Sequence, residues 1–275
     1  MNMFSVTTVA NNAKQPYGGY IPASLFNKIQ LNDGKQLEEH ENLHATIIGL
    51  AIDYLTRFLS SKDPKVFSIS MLGAMAKQDM FNDDSVKTAI NFAQNIHGLD
   101  DQSIISACKL ATFDVWHRNP MFAESSKQHY DTMPDTHTIS NIRIMVSRSL
   151  DFFAKYGPVT KYGFSFNKKA FTPIISSGDG DFLTKDTLWD FKVTKRRIDK
   201  SHTLQLAIYY LMGKHSKAKE FRHIKNIGIF NPRLNQIHIK PIADIPTDTL
   251  RTIETDIIGY KTSICDSLRF KWFGI

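Results

Sequence analysis

The chain has 275 residues and a formal net charge of +7, with 42% hydrophobic and 22% charged residues. This composition is typical of a soluble globular protein and excludes a membrane bundle. Its two cysteines, Cys108 and Cys265, are too few for a disulfide scaffold or a cysteine-based zinc site. The chain has no apolar run of about 18 residues, and its first residues lack the basic start of a signal peptide. We therefore expect a cytoplasmic protein without a membrane span.

The positive charge is concentrated in one part of the sequence. Between Lys185 and Lys240, 13 Lys and Arg stand against four Asp and Glu, a local net charge of +9, whereas the rest has 21 against 23. Concentrated positive charge is typical of a protein that binds a polyanion, most often nucleic acid. The alternative is a solvated surface that keeps the protein in solution.

Turn signals and apolar spacing divide the first half of the chain. Residues 1–34 contain several Gly and Pro and no clear period, which indicates an irregular lead-in. Residues 35–156 show apolar residues at helical spacing, which predicts a helical region that includes the first helix of the core. Breakers such as Asn119-Pro120 end its helices, which we predict at Lys35–Leu59, Ser85–Ile96, Gln102–His117 and Ser140–Tyr156.

After Gly157 the pattern changes to short alternating segments, which predict strands. The predicted strands are Val159–Phe166, Ala170–Ser176, Gly180–Thr184, Thr187–Thr194, Ile224–Phe230 and Gln236–Pro241, and the predicted helices are Ser201–Gly213 and Thr247–Ser267. This order predicts an α/β fold with a mixed, partly antiparallel sheet flanked by helices, preceded by a helical region. The aromatic residues Trp116, Trp189 and Trp272 are predicted to be core or partner anchors.

Two neighbouring predicted strands carry the residues that suggest chemistry. Asp181 opens one strand, and the alternation of the next strand places Asp190 and Lys192 on one face. Two carboxylates brought together repel each other unless a cation offsets the charge. Carboxylates and a backbone carbonyl are hard oxygen ligands that suit Mg²⁺ or Mn²⁺, which would lower the pKa of a bound water. Lys192 would orient that water or offset charge in the transition state.

A purely structural interpretation competes with this one. The Gly-Asp-Gly-Asp segment up to Asp181 could be only a turn, and the face that carries Asp190 and Lys192 could be solvated. The predicted helix that follows strengthens the chemical interpretation. Gln205 and Tyr209 are four residues apart, so they project from one face of that helix.

The order carboxylate, Asp-x-Lys, basic linker and Gln-x-x-x-Tyr resembles the RecB-like branch of the PD-(D/E)XK nuclease superfamily, which includes lambda exonuclease and the RecB nuclease domain. The resemblance covers about Tyr162 to Pro241 and one outlying helix. It implies a restriction-endonuclease-like core over residues 157–275. It also implies a nuclease that hydrolyses DNA phosphodiester bonds by means of a metal-activated water.

The resemblance assigns roles to individual residues. Asp181 and Asp190 would hold the metal together with the backbone carbonyl of Phe191, although Asp179 is a rival to Asp181. Gln205 and Tyr209 would steady the site and the DNA backbone. The family also has a Gly-x-Ala-x-His helix, and this chain has the same spacing in Gly49-Leu50-Ala51-Ile52-Asp53.

Asp53 therefore stands where the family has a metal-binding histidine. An aspartate would still supply an oxygen ligand and would favour Mg²⁺ further. The alternative is an ordinary ion pair with Arg57, which lies four residues later on the same helix. His44, one turn nearer the helix start, is a weaker candidate.

A basic linker joins the Asp-x-Lys strand to the Gln-x-x-x-Tyr helix. Its residues Lys195, Arg196, Arg197 and Lys200 are predicted to bind phosphates beside the scissile bond, although a solubilising loop would look the same. The chain has no ATP-binding loop, so a helicase, recombinase or defence-complex partner would be a separate protein. A catalytically silent nucleic-acid-binding module and an RNA substrate remain open alternatives.

Overall fold

The computed structural model describes residues 4–118, 120 and 133–264. These residues form two compact units. The sheet unit consists of residues up to 31, residues 155–231 and residues from 236 onward, and the helical unit consists of residues 32–154 and 232–235. In this described part of the chain, no helix combines the length and apolar character that crossing a membrane requires. Asn119, Cys265, Trp272 and the predicted helix end at Ser267 lie outside the described residues.

All strands belong to the sheet unit. They are β1 (Phe4–Ser5), β2 (Asn27–Gln30), β3 (Lys161–Ser165), β4 (Ile175–Ser177), β5 (Asp179–Leu183), β6 (Thr187–Phe191), β7 (Asn226–Asn231) and β8 (Gln236–Pro241). Six of them form one mixed sheet in the order β2-β8-β7-β6-β5-β3, whereas β1 pairs with β4 in a separate parallel pair. Within the large sheet only β6 and β7 run parallel, and a helix connects them, as parallel neighbours require.

Helices account for most of the remaining regular structure. They are α1 (Val6–Asn12), α2 (Ala45–Ser61), α3 (Ser68–Phe81), α4 (Ser85–Gln94), α5 (Asp101–Arg118), α6 (Thr136–Tyr156), α7 (Lys200–Ser216) and α8 (Thr247–Thr252), which continues as a π-helix over Ile253–Ile258. The predicted α/β class with a mixed sheet and flanking helices is therefore confirmed.

The core of the sheet unit lies between the large sheet and α7. Leu188 of β6 and Ile227 of β7 are fully buried in one cluster with Leu204 and Ile208 of α7. The start of α7 is set by Asp199, whose carboxylate accepts hydrogen bonds from the backbone N–H groups of the first turn, as a helix cap does. Gln205 in the first half of α7 therefore lies beside Lys192, which directly follows β6.

The helical unit is held together by close packing of α3 on α5. A Cβ atom on Gly73 would lie 1.8 Å from the carbonyl oxygen of Phe113, so only glycine allows this approach. The unit also contains an apolar cavity of about 630 Å³. The residues that line it include Phe58, Phe67 and Met71.

Several predicted elements differ from the observed ones. The predicted irregular lead-in contains the regular elements α1 and β2, which are short and are completed by pairing with distant parts of the chain. The predicted strand Ala170–Ser176 is mostly irregular and keeps only the start of β4. Helix α3 was not predicted, and α2 begins at Ala45 rather than Lys35, because the His44 side chain caps it by accepting from the N–H of Thr46.

Candidate active site

The hairpin of β5 and β6 brings the two predicted carboxylates together. Phe182 pairs with Trp189 and Leu183 with Leu188, and this register, continued by one residue, places Asp181 opposite Asp190. The backbone N–H of Phe191 donates to Asp181 Oδ2 at 2.6 Å. The interpretation of this segment as only a turn is wrong, because its residues form strand β5.

Asp190 lies in the interior rather than on a solvated face. Asp190 is only 3% exposed, and Leu188 on the same face of β6 is fully buried. Asp190 Oδ2 lies 3.0 Å from Lys192 Nζ, with which it forms an ion pair. A buried carboxylate is costly unless cations or donors surround it, and the ammonium of Lys192 supplies one such cation.

Lys192 extends the site from Asp190 to helix α7. Its Nζ donates to Gln205 Oε1 at 3.2 Å and pairs with Asp190. Burial by itself lowers the pKa of Lys192, but the carboxylates of Asp190 and Asp181 outweigh burial, so the pKa is raised. Lys192 is therefore a fixed positive charge beside two carboxylates.

Gln205 and Tyr209 project from one face of α7, as predicted. Gln205 Nε2 donates to the Tyr209 hydroxyl at 3.0 Å, and Tyr209 is almost completely buried. Burial, reinforced by the charges of Asp190 and Asp181, raises the pKa of Tyr209. The phenol therefore stays protonated and keeps a proton to donate.

Thr7 is a member of the site that the sequence analysis missed. Gln205 Nε2 donates to Thr7 Oγ1 at 3.2 Å, and helix α1, which carries Thr7, packs against α7. The two amide hydrogens of Gln205 are thus directed to Thr7 and Tyr209, which leaves Oε1 facing Lys192. The lead-in has no motif around Thr7, and only packing across almost 200 residues of sequence separation brings it here.

Asp53 lies in the helical unit, on α2. Its carboxylate pairs with Arg57 Nη1 at 3.1 Å, so the ion pair that the sequence suggested as an alternative is present. Burial raises the pKa of Asp53 although Arg57 opposes this shift. Its role as a metal ligand stays a prediction. His44 caps α2 by accepting a hydrogen bond, which accounts for that residue structurally.

The positive charge of the 185–240 segment does not form a single surface. The four residues of the predicted phosphate-binding linker, Lys195, Arg196, Arg197 and Lys200, are all exposed between β6 and α7. In contrast, Arg233 is buried and pairs with Glu41 within the helical unit, at 2.8 Å. Lys240 is also buried and donates to the carbonyl of Leu25.

Asp179 begins β5 and shares the exposed strand face with Asp181 by alternation. The hydrogen bond from the Phe191 N–H goes to Asp181, which favours Asp181 as the partner of Asp190. Among the described residues, no three His, Cys, Asp or Glu side chains cluster in a way that would hold a metal ion. No family model matches the chain, and neither a curated protein nor a solved structure matches it.

Proposed function

We propose that this protein is a metal-dependent nuclease that hydrolyses DNA phosphodiester bonds, with a restriction-endonuclease-like core in the sheet unit. The observation that carries the proposal is the convergence of side chains from two strands and a helix. Asp181 accepts from the N–H of Phe191 beside Asp190, Lys192 bridges Asp190 to Gln205, and Gln205 bonds Tyr209. These are the residues that the sequence motif selects.

The residues present fit a divalent cation. Asp181 and Asp190 lie on two paired strands, and carboxylate oxygens are the ligands that Mg²⁺ and Mn²⁺ prefer. Asp181, Asp190 and the carbonyl of Phe191 would hold the ion. When bound, the ion would lower the pKa of a coordinated water and stabilise negative charge on the phosphate.

The other residues would position the substrate. Lys192 places a positive charge next to the carboxylates, where it can orient water or offset the charge that develops on a phosphate oxygen. Gln205 holds Lys192 through its carbonyl oxygen, and Tyr209 retains a proton for a phosphate oxygen. The exposed cations from Lys195 to Lys200 would contact flanking phosphates without reading the sequence.

The test is cleavage of linear DNA, closed-circular DNA and RNA by wild type, Asp190→Asn and Lys192→Gln with Mg²⁺, Mn²⁺ or EDTA. We expect cleavage of DNA that EDTA abolishes, and a loss of at least about 10³-fold in each variant, because each removes a charge next to the reacting phosphate. Loss of linear but not circular DNA would identify an exonuclease.

Asp186→Asn is the matched control, because Asp186 is an exposed aspartate in the turn of the same β5–β6 hairpin. It should cleave like wild type. Absence of cleavage by wild type under every condition would favour the alternative of a silent binding module, or of a subunit that acts only in a recombination or defence complex. Equal cleavage by Asp190→Asn and wild type would show that the site is assigned wrongly, and preferential RNA cleavage would change the substrate class.

A further inference from the structure

Two segments that are far apart in sequence meet at the C-terminal end of α7. Asn167 Nδ2 donates to the carbonyl oxygen of Ser216 at 2.6 Å. Lys161 Nζ lies 3.9 Å from Glu220 Oε1. These contacts join residues 161–169, which lie outside the basic stretch that the sequence singled out, to residues 214–222, which lie inside it. We call the cations that they bring together, Lys168, Lys169, Lys217, Lys219 and Arg222, the distal basic surface.

The charge of the distal basic surface is not neutralised. All five side chains belong to exposed residues, and none forms an ion pair with a carboxylate in the part of the chain that the structure describes. Glu220, the acidic residue within the two segments, is engaged by Lys161. Like charges held close together repel each other, so a surface of this kind is suited to a partner that supplies negative charge.

The helix dipole explains only a small part of this arrangement. Cations in the last turn of a helix and at its C-cap, such as Lys214 and Lys217, interact favourably with the free carbonyl groups there. Lys168 and Lys169 belong to a different segment, and Lys219 and Arg222 follow the helix. Stabilisation of α7 therefore does not account for these four cations.

The position of the surface relative to the candidate active site is set by α7 itself. Gln205 lies near one end of the helix and Ser216 ends it. Between these residues an α-helix rises about 17 Å, which corresponds to about five phosphates along one strand of a duplex. A nucleic acid bound at the site is thus long enough to reach the distal basic surface once it extends about five nucleotides beyond the reacting bond.

We propose that the distal basic surface is a second phosphate-binding site for the nucleic acid that enters the candidate active site. The inference rests on the proposed function for its link to the site, but the binding itself can be measured without cleavage. Because the contacts are to phosphates, binding of the nucleic acid would be independent of base sequence and sensitive to salt. It would favour substrates that are long enough to span both places.

The experiment measures DNA binding by fluorescence anisotropy, with the full chain in EDTA and a labelled duplex of about 20 base pairs. The variant Lys169→Gln/Lys219→Gln/Arg222→Gln removes three charges from the distal basic surface. The matched control Lys35→Gln/Lys65→Gln/Lys87→Gln removes the same charge from exposed lysines of the helical unit. A third protein, Lys169→Arg/Lys219→Arg/Arg222→Lys, keeps the charge and tests for side effects on folding.

We expect the distal variant to bind at least about tenfold more weakly at low salt, and its plot of log K against log salt to be shallower by about two to three units. The control variant and the charge-conserving variant should bind DNA with nearly the affinity and salt dependence of the wild type.

The inference would be overturned if the distal variant and the helical-unit control weakened DNA binding equally. It would also be overturned if the wild type did not bind DNA. The outcome is separable from that of the proposed function. DNA binding that depends on the distal basic surface, together with absence of cleavage in every metal, would sustain this inference and reject the nuclease. DNA cleavage by the wild type, together with DNA binding that is the same in the distal variant and the wild type, would support the nuclease and reject this inference.

Discussion

Gln205 is the residue through which the other members of the candidate site are arranged. Its carbonyl oxygen accepts from Lys192, and its amide hydrogens go to Tyr209 and Thr7. If the amide turned over, its N–H groups would face the ammonium of Lys192, which has no lone pair to accept them. The orientation of this one side chain therefore decides whether Lys192 is held beside Asp190.

Thr7 is expected to act as a positioning residue. Thr7→Val removes the acceptor for one Gln205 hydrogen while keeping the shape, and should lower kcat for DNA cleavage about tenfold with little change in KM. Thr7→Ser keeps the hydroxyl and should restore the rate. Thermal unfolding would serve as the check on stability, because Thr7 is exposed and its loss should leave the melting temperature nearly unchanged. A normal kcat in Thr7→Val would remove Thr7 from the site.

Asp179 and Asp181 can be separated by matched substitutions on the same strand face. Asp181→Asn should lose at least about 10²-fold in cleavage rate, because Asp181 is held opposite Asp190. Asp179→Asn should change the rate by less than about threefold, since it lies one strand period further from Asp190. The reverse result, measured under identical metal and substrate concentrations, would transfer the ligand role to Asp179.

At the scale of elements, a buried ion pair holds an irregular segment of the helical unit against a helix. In the helical unit Arg148 of α6 is 6% exposed, bonds both carboxylate oxygens of Asp33 and also reaches the carbonyl of Lys35. The hydrogen bonds from Arg148 hold the pKa of Asp33 below its ordinary value. A segment without helical or strand pairing is thereby tied to a long helix.

Asp33→Asn should lower the free energy of unfolding by about 3 kcal/mol at neutral pH, because it leaves the buried Arg148 without its carboxylate. A carboxyl whose pKa is lowered in the folded state stabilises the protein above its unfolded-state pKa of about 4, and this contribution is lost as the pH falls through the folded-state pKa. We therefore measure the free energy of unfolding in urea at a series of pH values. The difference between Asp33→Asn and wild type should be constant down to about pH 5 and should become smaller at lower pH. A difference that does not depend on pH would contradict the assignment of Asp33 as the charged partner.

At the scale of the whole molecule, a bound cation should be visible in stability without any catalysis. Asp190 is an interior carboxylate whose ion-pair partner is Lys192, at 3.0 Å. A ligand that binds only the folded state stabilises it by about 2.7 kcal/mol when its concentration is 100 times Kd. Mg²⁺ or Mn²⁺ should therefore raise the melting temperature of wild type in a concentration-dependent way.

The matched variants for this measurement are Asp190→Asn, which should show little or no shift, and Asp186→Asn, which should shift like wild type. Differential scanning fluorimetry with a metal titration and an EDTA baseline is sufficient to read the effect. An equal shift in all three proteins would mean that the ion binds elsewhere.

Local pattern was sufficient for much of the core and of the candidate site. The strand that carries Asp190 and the helix that carries Gln205 and Tyr209 were predicted, because alternation and a four-residue spacing each place side chains on one face. Lys192 follows β6, which ends at Phe191 rather than at the predicted Thr194. The predicted strand Gln236–Pro241 coincides with β8. Trp116 and Trp189, which are predicted to be core or partner anchors, are both buried.

Other features depend on partners that the local sequence does not contain. Helix α1 and strand β2 are too short to be stable alone, and each is formed against a distant element, α7 or β8. Helix α3 has a weakly amphipathic sequence, because it must fit closely against α5 at Gly73 while other positions stay exposed. Such elements follow from packing rather than from periodicity.

The amino-acid sequence by itself determined which residue types are available and on which face of each element they lie, because side-chain direction follows from the backbone period alone. It thereby selected Asp181, Asp190, Lys192, Gln205 and Tyr209. Only the tertiary structure decided that Asp190 is buried and that Thr7 orients Gln205. It also decided which cations of the basic stretch are buried, such as Arg233, and which join the distal basic surface. These outcomes depend on contacts between residues far apart in the chain, which no local period encodes.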